Sequence, residues 1–215
     1  MLKILFLLFL STPSFSSAVG PITLLKEIEK KYRDASGIEM YVVKKHKIQL
    51  LEKEKKSEGV IKIKSGGRFK WEVTKPDKSM TLVTPDTVWV VEYPMDTKDR
   101  LTVIKSRKPK KNQSPAIVAF LMGQGSLTKN FKVTPGKTSE VEQELFLIAK
   151  SKDEVVQKMN IFLNKKDRLI SRLSFDDAMG NQTEIEFKNT DFKKEFKVNE
   201  FEFTPPKDAD VNVID

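Results

Sequence analysis

The chain has 215 residues, a net charge of +9, one histidine and no cysteine. Without cysteine it can form no disulfide and carry no lipid on a cysteine anchor, and cysteine-based zinc sites are excluded. Its length fits one domain behind an N-terminal segment.

The first twenty residues, "MLKILFLLFLSTPSFSSAVG", have the pattern of a secretory signal peptide. Lys3 precedes an apolar run at residues 4–10, and small residues lead to a cleavage position after Ala18. The apolar run is too short to span a membrane as a helix. We therefore expect residues 1–18 to be a signal peptide and residues 19–215 to be a single domain exported to the periplasm.

The next stretch, "GPITLLKEIEKKYRDASG", predicts an amphipathic helix. Pro21 suits a first helical position, and Leu25, Ile28 and Tyr32 form one apolar stripe that Gly37 is expected to end. Apolar alternation then predicts a series of strands, with Met40 marking the first.

The segment "RFKWEVTKP" shows this alternation clearly, since Phe69, Trp71 and Val73 share one face of a strand. We expect neighbouring strands to add four residues to that face: Met80, Leu82, Trp89 and Val91. Later strands are predicted at residues 145–149, 159–163, 169–175 and 183–187. Because no long helical pattern lies between consecutive strands, the sheet should be antiparallel and the fold class α+β.

One apolar stretch, "NQSPAIVAFLMGQGS" at residues 112–126, interrupts the strands. Ser114 can cap a helix, Pro115 can start it, and Ile117, Phe120 and Leu121 would form its apolar face. The pattern predicts a helix of two to three turns, which on its own could simply pack on the sheet.

Residues able to do chemistry are sparse. His46 lies in "KKHK", where a solvent-facing strand position is the simplest interpretation, and "GQGS" lacks the lysine of a phosphate loop. Asp176 and Asp177 open a polar turn between two strands. We predict no enzyme activity and no cofactor or metal, and favour a carrier, receptor or interaction module.

The basic run "KSRKPKK" at residues 105–111 could indicate a nucleic-acid site or a solvated loop. Behind a signal peptide, the positive charge indicates anionic membrane surfaces or acidic proteins as partners rather than nucleic acid.

The segments, in order, resemble the periplasmic outer-membrane lipoprotein carriers, the LolA family. The resemblance is carried by "GVIKIKSGGRFKWEVTKPDKSM", "TVWVVEYP", "SPAIVAFLMG", "DDAMGNQTEIEF" and "FEFTPPKDADV". It implies a strongly curved antiparallel sheet, an unclosed β-barrel, with short helices covering a concave face. That face would hold the acyl chains of a lipoprotein moved from the inner to the outer membrane.

The resemblance also implies partners and site residues. The partners would be acylated lipoproteins, an inner-membrane lipoprotein-releasing ABC transporter and an outer-membrane receptor, and we expect a monomer. The expected lid is the helix with Pro115, Ile117, Phe120, Leu121 and Met122. The expected lipid cavity comprises Phe69, Trp71, Val73, Met80, Leu82, Trp89, Val91, Leu163, Leu173 and Phe175.

The family's latch is an Arg-Pro pair that holds the lid shut, and this sequence has Ser65 and Gly66 there. A serine cannot supply the forked donors of arginine, and Arg68 is the nearest residue that could. Alternation places Arg68 on the opposite face from Phe69, so we expect a weaker latch. Two alternatives to a carrier are a lipid-sensing or regulatory protein of the same half-barrel fold that binds a protein partner, and a β-domain with a filled core.

Overall fold

A computed structural model describes residues 19–96, 100–107, 116–177 and 179–214. The predicted signal peptide, Pro115 and residues 108–111 of the basic run lie outside these ranges.

The predicted N-terminal helix is α1 (Pro21–Asp34), which begins at the expected proline. Its buried stripe includes Leu25, Ile28 and Tyr32, as the spacing predicted. The helix ends at Asp34, ahead of an extended Ala35, and the expected end at Gly37 is wrong because Gly37 already belongs to the first strand.

The described residues form one sheet of twelve strands and two further short helices. The helices are α2 (Ala116–Leu121) and α3 (Leu127–Asn130). The strands are β1 (Gly37–Ile48), β2 (Lys53–Lys64), β3 (Arg68–Lys75), β4 (Ser79–Val83), β5 (Thr87–Glu92), β6 (Thr102–Arg107), β7 (Phe131–Thr138), β8 (Glu142–Ala149), β9 (Lys158–Asn164), β10 (Leu169–Asp176), β11 (Gln182–Asp191) and β12 (Asp210–Ile214).

The strand order is β12-β6-β5-β4-β3-β2-β1-β11-β10-β9-β8-β7, with β12 and β7 at the two edges. The sheet is curved and does not close into a barrel. The expected α+β class and unclosed antiparallel sheet are confirmed. One pair departs from the expectation, because β12 lies parallel to β6. A long segment between β11 and β12 makes this parallel pairing possible.

The sheet has two faces, and each buries its own core. We call the face on which α1 and α2 pack the inner face, and the opposite one the outer face. The larger core joins the inner face to the helices, while a smaller core on the outer face is centred on Leu82, Val91 and Phe201.

The segment after β11 covers that outer core. Phe192 still packs edge-on against Tyr32 of α1, at 5.0 Å between ring centroids. Lys193 then bridges to Gly37 at the start of β1, and Phe196 and Phe201 belong to the outer core. The chain thus passes from the inner to the outer side around the beginning of β1.

Candidate functional site

The inner face is apolar along most of its central strand. Alternate residues of β1 point to it, and Ile38, Met40 and Val42 are no more than 1% exposed. Across the ladder, Ile63 lies opposite Ile38 and Ile61 opposite Met40, so the same surface continues onto β2. Facing residues of an antiparallel pair share one face of the sheet, so the register extends the surface from strand to strand.

Strand β3 extends this surface as its sequence predicted. Phe69 faces Ile63 and Trp71 faces Ile61, which places both aromatic side chains on the inner face. Phe69 is 4% exposed within the inner core, whereas Trp71 is half-buried and packs against its margin. Val73 is half-buried further along the same strand.

The expectation that four residues of β4 and β5 share this face is wrong. In the observed register Leu82 lies opposite Lys70 and Met80 opposite Glu72, so both point to the outer face. Trp89 pairs with Leu82 and Val91 with Met80, so Trp89 and Val91 also point to the outer face. The cause is register: a shift of one residue exchanges the two faces of a strand, and the sequence did not specify which residues pair.

The three expected cavity residues from the later strands do lie on the inner face. Leu163 is fully buried, Leu173 is 2% exposed and Phe175 is half-buried against the same core. Leu173 faces Ile161 and Phe175 faces Met159, so β9 and β10 complete the apolar surface.

Helices α1 and α2 cover the inner face. Leu25 and Ile28 of α1 are fully buried against it. In α2, Ile117, Phe120 and Leu121 are buried, and Met122 just beyond the helix is 8% exposed. The described part of α2 has six residues, and its buried side matches the predicted apolar face.

One buried carboxylate links α1 to the start of α3. Glu29 of α1 is 7% exposed and accepts a hydrogen bond from the backbone N–H of Leu127 at 2.8 Å. The hydroxyl of Ser126 donates to the same carboxylate at 3.1 Å. Glu29 was not predicted as a site residue, although its position four residues after Leu25 puts it on the apolar stripe.

The loop after α2 is held between α1 and the turn that joins β2 to β3. At Gly123, whose φ is +70°, an added Cβ would lie 2.8 Å from the Cα of Arg33 in α1. At Gly67, whose φ is +80°, an added Cβ would lie 2.6 Å from Nε2 of Gln124. At Gly123 the neighbouring backbone leaves no room for a Cβ, whereas at Gly67 the flexible Gln124 side chain would have to move and the positive φ is what favours glycine.

The expected latch residues lie beside this contact. The backbone N–H of Ser65 donates to the carbonyl of Ser36 at 3.1 Å. Arg68 is exposed and lies opposite Lys64, on the other face from Phe69, as alternation predicted. The turn between β2 and β3 therefore contacts the loop after α2 through Gly67 and Gln124.

The inner face changes character at the end of the sheet away from α1. An open pocket of about 380 Å³ lies there, lined by Lys44, His46, Lys55, Lys56, Ser57, Trp71, Val73, Pro76, Asp77, Ser79 and Thr81. The Nδ1 atom of His46 lies 3.0 Å from Oγ1 of Thr183, so the histidine is half-buried and bonded rather than freely solvated.

The described residues of the basic run and of the acidic turn lie outside the inner core. Lys105 of the basic run lies over the Trp89 ring on the outer face, with its Nζ 4.8 Å from the ring centroid. Asp177 is a turn residue, as predicted, and accepts hydrogen bonds from the backbone N–H groups of Met179 and Asn181. A bond from the Asn181 side chain is the main reason that the pKa of Asp177 lies below its usual value.

Within the described ranges, none of the helices is both long and apolar enough to cross a bilayer. In the same part of the chain, no group of three or more His, Cys, Asp or Glu residues could hold a metal ion.

An unclosed sheet with an apolar inner face under short helices defines a half-barrel protein. The family model described as "Outer membrane lipoprotein carrier protein LolA" matches residues 43–204. The chain therefore belongs to the LolA family, as its motifs indicated.

Curated relatives are similar over most of their length. An outer-membrane lipoprotein carrier protein of Neisseria meningitidis serogroup B is 27% identical over 198 residues, which cover 91% of this chain and 88% of the relative. One of Cupriavidus pinatubonensis is 30% identical over 145 residues, covering 67% and 65%. An uncharacterized conserved protein from Thermus thermophilus shares the fold, with a TM-score of 0.53 and 16% identity over 89% of this chain and 97% of that one.

Proposed function

We propose that this protein is a periplasmic carrier that binds the acyl chains of lipoproteins on its inner face and moves them from the inner to the outer membrane. The observation that carries the proposal is the continuous apolar inner face, covered by short helices rather than by a second sheet. Membership of the lipoprotein carrier family supports the same role.

The physical basis is an exchange of apolar contacts. Each methylene buried from water is worth about 0.8 kcal/mol, so an acyl chain needs an apolar surface to cross an aqueous space. Phe120 and Leu121 of α2 pack on the inner face. If α2 moves aside, the acyl chains replace its side chains, and the inner face stays buried in both states.

The remaining expectations complete the proposal. Residues 1–18 would direct export to the periplasm, and the mature chain would work as a monomer without catalysing a reaction. It would receive lipoproteins from an inner-membrane ABC transporter and pass them to a receptor at the outer membrane. The lid would be α2, with the loop that follows it held by Gly67 and α1.

A solubilisation assay tests the proposal. The purified mature protein is mixed with membranes that carry one acylated lipoprotein, and the soluble fraction is analysed by native mass spectrometry. We expect a one-to-one soluble complex with the acylated lipoprotein. The matched control is the same lipoprotein with its acylated cysteine replaced by alanine, which should form no complex.

Two results would contradict the carrier function. One is equal binding of the acylated and unacylated forms, which would mean recognition of a protein surface, as in a regulatory partner. The other is a lipoprotein that stays entirely in the membrane fraction while the carrier is folded by circular dichroism.

A further inference from the structure

The inner face is apolar at one end and basic at the other. Along β1, the inner-face positions run from Ile38, Met40 and Val42, which are buried, to Lys44 and His46, which are half-buried. Across the ladder from β1, Ser57 lies opposite Lys44 and Lys55 opposite His46. The same strands that carry the apolar surface therefore end in a cluster of cationic and hydroxyl side chains.

This basic end has room for a ligand group. The pocket of about 380 Å³ is continuous with the apolar surface, because Trp71 packs against the inner core and also lines the pocket. The Nζ atom of Lys44 lies 5.8 Å from the centroid of the Trp71 ring. The indole N–H of Trp71 is buried and has no acceptor within the described ranges.

The charges that face the pocket are mostly positive. Its lining includes three lysines and one carboxylate, that of Asp77. Lys56 is paired with Glu58 at 2.6 Å, whereas neither Lys44 nor Lys55 forms an ion pair with any residue that the structure describes. Two such ammonium groups beside hydroxyls favour an anion with several acceptor oxygens.

We propose that this pocket is a headgroup site for a phosphate-bearing lipid whose acyl chains lie on the inner face. Lys44 and Lys55 contact the phosphate, and Ser57 and Thr81 are placed to donate to its oxygens. The inference rests on the proposed function for the acyl chains, and it adds an anionic phospholipid to the ligands of the same site.

The two tryptophans of the chain allow a direct binding assay. Trp89 lies on the outer face against Phe203, at 5.3 Å between ring centroids, so Trp89→Phe leaves Trp71 as the only indole. In that background, Trp71 fluorescence is titrated with dihexanoyl phosphatidylglycerol and dihexanoyl phosphatidylcholine below their micelle concentrations. Inorganic phosphate and glycerol phosphate are titrated in parallel.

We expect phosphatidylglycerol to bind about fivefold more tightly than phosphatidylcholine, the size of effect expected for partly exposed charge pairs. Lys44→Gln should weaken binding of phosphatidylglycerol more than binding of phosphatidylcholine and so reduce the preference, because the choline cation already offsets the phosphate charge of phosphatidylcholine. Lys47→Gln is the matched control, because Lys47 is exposed and lines a different pocket, on the outer face. Inorganic phosphate and glycerol phosphate should bind far more weakly, since they lack acyl chains.

Three results would overturn the headgroup site. Equal affinity for both lipids, with no effect of Lys44→Gln, would refute the headgroup site and would still be consistent with acyl-chain binding on the inner face. Binding of inorganic phosphate as tight as that of phosphatidylglycerol would show an anion site unrelated to lipid. Failure of both lipids to change the Trp71 signal or to co-elute with the folded protein would contradict the proposed function as well.

Discussion

The carboxylate of Glu29 accepts a hydrogen bond from the backbone N–H of Leu127 at 2.8 Å, and so joins α1 to the first turn of α3. Leu127 follows directly after the loop that joins α2 to α3. Gly123 of that loop also rests on the end of α1, so a close backbone approach and a hydrogen bond both hold this loop to α1. The helices are attached to the inner face mainly by apolar contacts.

The first prediction concerns Glu29. Replacing it with alanine leaves the N–H of Leu127 buried without its acceptor, which should lower the free energy of unfolding by about 1–3 kcal/mol. Glu29→Gln should recover most of the loss, because its amide oxygen can still accept. Urea unfolding measures both.

The control for this pair is Glu27→Ala. Glu27 lies two residues before Glu29 on α1 and forms an ion pair with Arg168 at 2.8 Å. The Glu27 side chain is 36% exposed and that of Arg168 is 53% exposed. An exposed pair of this kind contributes at most about 1 kcal/mol. If Glu27→Ala costs as much as Glu29→Ala, the buried carboxylate has no special role in holding the cover.

The second prediction concerns the contact between Gly67 and Gln124. Gly67→Ala should destabilise the protein more than Gly180→Ala, although both glycines have φ near +80°. An added Cβ meets Gln124 at position 67 and nothing within 4 Å at position 180, so the backbone strain is matched and only the contact differs. Thermal unfolding of both variants gives the comparison.

A double variant separates the contact from other causes. In Gly67→Ala with Gln124→Ala the colliding side chain is absent, so part of the stability should return. Additive losses in the double variant would show that Gln124 does not press on the turn between β2 and β3.

The third prediction concerns pH. Lys56 and, to a lesser degree, the Tyr41 hydroxyl bond the Glu58 carboxylate and lower its pKa from 4.5 to about 2. Because the folded pKa is depressed, the stability that Glu58 contributes is present above pH 4.5 and is lost as the pH falls toward 2. Carbon-detected NMR titration of the Glu58 carboxyl should show this low midpoint.

Variants of the two partners should raise the midpoint by different amounts. Lys56→Gln should raise it more than Tyr41→Phe, since the lysine has the larger effect on the pKa of Glu58. A midpoint that is the same in all three proteins would show that neither partner holds the carboxylate in solution.

Much of the fold could be predicted from local patterns. Alternation located β1 to β5 and β8 to β11, and Pro21 located the start of α1. Strand β7 was missed because Pro135 and Gly136 inside it are typical of turns, yet a proline is tolerated there since β7 is an edge strand. Strand β6 was missed because it runs into the basic segment, whose charges favoured a loop.

The site was harder to predict because it depends on pairing between strands. Phe69 and Trp71 could be placed together from one strand, whereas Leu82 was assigned to the wrong face without the register. The outer core was missed altogether, although alternation of Phe201 and Phe203 was a signal for a segment that covers apolar surface. Contacts such as that between Glu29 and Leu127 join residues far apart in the chain and leave no local pattern.

The last prediction uses two buried residues on neighbouring strands that face opposite ways. Phe69 on the inner face is 4% exposed, and Leu82 on the outer face is fully buried. Phe69→Ala should lower the free energy of unfolding by about 3–5 kcal/mol and Leu82→Ala by about 2–5 kcal/mol, because each leaves a cavity in a packed core. Stability alone therefore does not distinguish the two positions.

Ligand binding should distinguish them. If acyl chains occupy the inner face, Phe69→Ala removes a contact surface and should weaken binding of an acylated lipoprotein about tenfold, the loss expected for one large apolar contact. Leu82→Ala touches only the outer core and should leave the dissociation constant of the folded protein unchanged. Both constants are measured at a temperature where circular dichroism shows each variant fully folded. Equal weakening by the two substitutions would mean that affinity follows stability, and unchanged binding by Phe69→Ala would mean that the inner face around Phe69 is a permanent core that acyl chains do not enter.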